Sequence, residues 1–145
     1  MSDEVVSGLL GSIPRGEEIK DQREGDHLSA RLADVELVEQ SNGYAIKASF
    51  SGLADSDDNS FDYQDRVTIA THNSEDFIKR LFLSALHDFG IVPRSERQAI
   101  YAETDEHRAE LLAAFKSKVG TNYPLRLKVD KNGYLRGRML RQKGV

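Results

Sequence analysis

Apolar and polar residues alternate with a period of two in three consecutive stretches of this chain, and again near its end; between them the period lengthens to three and four. Side chains on a strand point alternately to its two faces, so a period of two reads as a half-buried strand. In the first stretch, His27 to Val38, Ala33, Val35 and Leu37 alternate with Asp34 and Glu36. Asn42-Gly43 follows, a pair that accepts positive φ cheaply and so predicts a hairpin. In the second stretch Tyr44, Ile46, Ala48 and Phe50 share a face, opposite Ala45, Lys47 and Ser49. The third places Phe61, Tyr63, Val67 and Ile69 on one face and Asp62, Gln64, Arg66 and Thr68 on the other. Three such strands in succession make an antiparallel meander.

The helical period begins after Ser74, where Phe77, Ile78, Leu81, Phe82, Ala85, Leu86 and Phe89 form one stripe. Ser74 as cap, Glu75 and Asp76 in the first turn, and Gly90 as the stop predict an amphipathic helix. A second helix is predicted from Thr104 through Ala109, Leu112, Phe115 and Val119 to Gly120. Two strands close the chain, joined by Asn132-Gly133. Three strands, a helical insert and two strands predict a mainly β fold with helices: an OB-fold-like five-stranded antiparallel barrel with the insert between strands 3 and 4. A generic α+β sandwich is the alternative. Residues 1–26, rich in Gly, Ser and charge, read as a flexible N-terminal arm, and residues 27–145 as the domain. The arm's apolar cluster, Val5 to Ile13, is a loose tether or a short helix that docks on its own domain or on another subunit.

Charge adds a feature that the strand pattern does not contain. The chain has 20 Lys+Arg against 24 Asp+Glu, yet seven of the basic residues and only one acid, Asp130, fall in its last 20 residues. The first 125 residues therefore carry 13 basic and 23 acidic side chains, an acidic body with a basic end. Fields segregated in this way attract ligands of opposite sign. No stretch approaches the ~20 apolar residues of a membrane span, no secretory leader is visible, and the absence of Cys excludes disulfides and thiolate metal sites. A cytoplasmic protein is expected.

In "LRLKV" the residues Leu125, Leu127 and Val129 face inward and Arg126 and Lys128 outward; in "YLRGRM" Leu135 and Met139 face inward, with Tyr134, Arg136 and Arg138 outward. Gly137 falls on the inner face, where a glycine marks a bulge or sharp bend. The outer face thus combines cations with an aromatic ring, as single-stranded nucleic acid requires: phosphates pair with Arg and Lys, and bases stack on rings. The candidate nucleic-acid-binding residues are Arg126, Lys128, Tyr134, Arg136 and Arg138, extended by Arg141 and Lys143 in the tail and by Lys47 and Arg66 on the second and third strands. The competing interpretation is an interaction module whose basic hairpin docks an acidic protein surface.

No catalytic or cofactor motif is present, and the glycines sit at turns and helix ends. "DSDDNSFDYQDR" resembles a calcium loop at Asp55, Asp57 and Asn59 but has Ser60 where the loop needs glycine and Arg66 where it needs glutamate. His27, His72, His87 and His107 have no ligand spacing. The expectation is a noncatalytic protein without metal or cofactor.

"LADVELVEQSNGYAIKASF", "FIKRLFLSALHDFGI", "VGTNYPLRLKV" and "NGYLRGRML" together resemble bacteriophage single-stranded-DNA-binding proteins of OB fold with a helical insert. The resemblance implies a protein that coats exposed DNA strands during phage replication or recombination in the host cytoplasm, with replication or recombination proteins as partners and a homo-oligomer in prospect. Many strand-coating proteins end in an acidic recruiting tail. This chain ends basic, which leaves its acidic arm as the only counterpart.

Overall fold

A computed structural model describes residues 11–140. It contains β1 (Gly25–Gln40), β2 (Gly43–Ala54), β3 (Ser60–Thr68), α1 (Asp76–Asp88), α2 (Asp105–Lys116), β4 (Asn122–Val129) and β5 (Leu135–Met139). The strands form one antiparallel sheet in the order β3-β2-β1-β4-β5. Both helices fall between β3 and β4, as the change of period predicts. No helix among the described residues is long and apolar enough to cross a membrane.

β1 organises the sheet because its two halves serve different partners. Gly25 to Arg31 pair with β4, and Arg31 to Gln40 pair with β2. Register shifts between His27 and Ala30 and between Leu32 and Asp34 bend the strand where it changes partner. A third shift, between Phe50 and Leu53, bends β2 around Gly52, whose φ of +72° suits glycine.

β2 and β4 run opposite to β1, so β3 and β5, the two edges, run parallel to each other. They approach without joining: the sheet is open, so closure into the OB-fold-like barrel expected from the sequence is not seen. Tyr63 explains the gap. Its hydroxyl accepts the Gly137 N–H at 2.6 Å, taking a donor that a neighbouring strand's carbonyl would otherwise receive. The Tyr63 ring also fills the place of a side chain at Gly137, where a Cβ would lie 2.7 Å from Tyr63 Cε2 and 2.9 Å from Leu127 Cδ2. The β4–β5 register is unbroken, so Gly137 marks neither a bulge nor a bend but a ring seated on the strand.

Most of the apolar positions predicted on β1, β2 and β3 meet the helices in one core, with Phe50, Phe82, Phe115, Leu32 and Ile46 fully buried. Ala33 is exposed instead, because the register shift between Leu32 and Asp34 turns the alternation over and leaves Ala30 and Leu32 inward, and Ala45, predicted outward, is buried as well. Phe50 lies at its centre, 6.2 Å from both the Tyr63 and Phe89 rings and 6.4 Å from Tyr123. The Tyr123 hydroxyl donates to the Phe89 carbonyl at 3.0 Å, which anchors β4 to the end of α1.

The helix limits differ in detail from the expectation. Ser74 does not cap α1; its Oγ accepts the Thr71 N–H at 2.9 Å, and Glu75 occupies the cap position without a side-chain bond. Thr104 does cap α2, accepting the His107 N–H at 3.0 Å. That helix ends at Lys116, so Val119 lies beyond it and is exposed. Asp21 to Glu24 pack against the sheet: the Gln22 carbonyl accepts the Ser56 N–H and the Glu24 carboxylate accepts the Val129 N–H. These bonds tie residues 21–24, which fall within the arm expected over residues 1–26, to the rest of the fold. The apolar cluster Val5–Ile13 lies mostly outside the described residues.

Candidate nucleic-acid interface

The register of β4 and β5 determines how the basic hairpin presents its charge. Arg126 pairs with Arg138 and Lys128 with Arg136, directly across the strands, so the four exposed cations form a two-by-two array on the outer face around Gly137. Like charges placed directly opposite each other destabilise a sheet. These four side chains and Gly137 line a shallow cavity of about 360 Å³.

Two acids neutralise one diagonal of the array. Asp26, facing Arg126 across the β1–β4 pairing, accepts from its Nε and Nη2 at 2.7 and 3.1 Å. Asp130 accepts from Arg136 Nε at 3.0 Å. It also accepts the Asn132 and Tyr134 N–H groups of the turn at 2.9 and 3.0 Å. The arginine bonds hold both carboxyls below the ordinary carboxylate range. Lys128 and Arg138, the other diagonal, have no ion-pair partner among the described residues.

Tyr134 closes one end of this face. It is 64% exposed, with the Arg136 guanidinium 5.7 Å from its ring centre. Its exposure leaves the ring available for stacking. Tyr44, by contrast, is half-buried, and the Arg108 guanidinium lies 4.0 Å above its ring.

The remaining candidates divide. Lys47 sits in a row across β1, β2 and β3 between Glu36 and Arg66, with its ammonium 3.7 Å from the Glu36 carboxylate. This row uses the half of β1 that pairs with β2, so Lys47 does not extend the hairpin's positive face through the sheet. Arg66, the third member of that row, donates from Nη1 to Gln40 Oε1 at 3.4 Å. It lines, together with Arg138, the cleft left open between β3 and β5. Arg141 and Lys143 lie outside the described residues.

That cleft contains one group missed by the strand alternation. Asp65 occupies an inward position of β3 between Tyr63 and Val67, and one of its carboxylate oxygens accepts the Arg66 N–H at 2.8 Å. Burial pushes its pKa up, and the same cause, reinforced by the Asp65 charge, pushes the Tyr63 hydroxyl to about 12. An acid at an inward position of an amphipathic strand was the available signal.

The other groups read for chemistry have local structural roles. Asp55 Oδ1 accepts the Asp57 and Asn59 N–H groups of its own loop. His87 Nε2 lies 2.7 Å from the Glu96 carbonyl and ties the long connection to α1. Comparison with protein-family models, with curated proteins and with solved structures finds no match.

Proposed function

We propose that this chain is a noncatalytic single-stranded-DNA-binding protein that holds the sugar-phosphate backbone on the outer face of its β4–β5 hairpin. The observation that carries this reading is the array of Arg126 opposite Arg138 and Lys128 opposite Arg136. Facing cations cost stability in the free sheet, and a bound polyanion offsets that cost. Tyr134 supplies a stacking surface beside the phosphates. The acidic remainder of the chain repels phosphate elsewhere, which confines the strand to one face. On this reading the curled sheet, with parallel edges bridged by Tyr63 and two helices between β3 and β4, is an OB-like barrel with an open seam. Strand coating in phage replication or recombination is the role that the resemblance of its segments favours.

The test is anisotropy of labelled single-stranded and double-stranded oligonucleotides, titrated at two salt concentrations. Lys128→Glu and Arg138→Glu, which break no ion pair among the described residues, each lower single-strand affinity about tenfold and flatten its salt dependence. Unchanged affinity in both folded variants would sink the assignment. Saturable binding to an acidic protein with no response to oligonucleotide would make the hairpin a protein-docking surface instead.

A further inference from the structure

The open seam is more than a failure of closure. Its cleft encloses about 360 Å³, a volume within the ~300–1,000 Å³ typical of small-molecule sites. The walls differ in chemistry. Val67 from β3, Ile78, Leu81 and Phe82 from α1, and Met139 from β5 give it apolar sides. Arg66 and Arg138 line it from the two strands, and Asp65 is the carboxylate on its β3 side. The second Asp65 oxygen has no hydrogen-bond partner among the described residues. The other acid lining the cleft, Asp88 of α1, is engaged by Arg94 at 3.4 Å. Arg138 belongs both to this cleft and to the phosphate-facing array, so a strand lying on the hairpin passes the mouth of the cleft.

An apolar slot with one carboxylate inside and cations along its edges suits a flat heterocycle that carries hydrogen-bond donors and is attached to phosphate. Ionised carboxylate only accepts hydrogen bonds. Among the four bases, guanine alone offers two adjacent donors, N1–H and the N2 amino group, on its pairing edge. Adenine and cytosine present one amino group beside a ring acceptor that repels the carboxylate. Thymine places its one N–H between two carbonyls. A base turned out of a strand is read in this way, by its pairing edge and by apolar contact with its faces.

We propose that the β3–β5 cleft is a base-recognition subsite that selects guanine through Asp65 from single-stranded DNA held on the hairpin. This rests on the proposed function, and the experiment separates the two. Oligothymidylate of fixed length is compared with the same strand carrying one central guanosine, inosine, adenosine or cytidine, all by anisotropy. The guanosine strand binds about tenfold tighter than oligothymidylate, and inosine, which lacks the N2 amino group, loses most of that gain. Asp65→Asn abolishes the preference without lowering affinity for oligothymidylate. The amide oxygen of the variant keeps the acceptor for the Arg66 N–H at this half-buried position, so the variant stays folded. Ala85→Phe, which fills the cleft from α1 without touching the cations, gives the same loss. Equal binding of all five strands by the native chain would overturn the guanine site and leave hairpin binding intact; absence of binding to any strand would overturn both.

Discussion

Gly137 shows how one missing side chain determines the shape of the seam. An alanine Cβ there would meet two atoms of the Tyr63 ring and a Leu127 methyl at 2.7 to 2.9 Å. Neither neighbour is the free end of a flexible chain: Tyr63 is buried and stacked on Phe50, and Leu127 is fully buried. Gly137→Ala therefore destabilises the fold by about 1–3 kcal/mol through overpacking, which calorimetry reads as a loss of several degrees in Tm. In the Tyr63→Leu background the same substitution costs much less, because the ring it strikes is gone; an undiminished cost would place the strain elsewhere. The inward position of Gly137 was legible from alternation alone. Its cause was not, because Tyr63 lies 74 residues away and no local pattern links the two. Asp65 was obscured differently: the alternation of Phe61, Tyr63, Val67 and Ile69 is strong enough to identify the strand without it, so the acid within the apolar set passed unread.

At the scale of the element, the β4–β5 hairpin is a cation array held in check by its own acids. Asp26 and Asp130 both have depressed pKa values, caused first by their arginine partners. Such carboxylates contribute stability above their unfolded pKa of about 4, and that contribution is lost as pH falls through the lower folded value. On the proposed function, both acids would therefore compete with phosphate for Arg126 and Arg136 at neutral pH. Asp26→Asn releases Arg126 and raises single-strand affinity about two- to fivefold at low salt, by anisotropy, with the gain shrinking as salt screens the added charge. An unchanged affinity would mean that Arg126 does not face the bound strand. Asp130 is a poorer probe, since it also accepts two turn N–H groups. The hairpin was readable because its alternation, its Asn-Gly turn and its charge agree. The clamp by Asp26 depends on the β1–β4 pairing across 100 residues, and the misplaced Ser74 cap shows that local capping patterns can serve a turn instead of the helix.

At the scale of the molecule, an acidic body and a basic end limit how much nucleic acid the surface can neutralise. The segregation itself was plain in the sequence, as were the strand count and the helical insert. Openness of the sheet was not, because closure depends on whether the two edges find each other's backbone groups, and here a tyrosine intervenes. The charge distribution leads to a countable expectation. For single strands the logarithm of affinity falls with the logarithm of salt at roughly 0.7 per phosphate neutralised. With Lys128 and Arg138 engaged alone, a chain truncated after Leu140 shows a slope near −1.4; with Arg126 and Arg136 also released from their acids, it approaches −2.8. The full chain adds Arg141 and Lys143, so its slope steepens by up to about 1.4 if the tail lies on the strand and not at all if it does not. A truncated slope much steeper than −2.8 would require phosphate contacts beyond the array, and the hairpin could then not be the whole interface. Duplex DNA, whose second strand brings further phosphates toward the acidic body, binds more weakly than single strands under the same conditions.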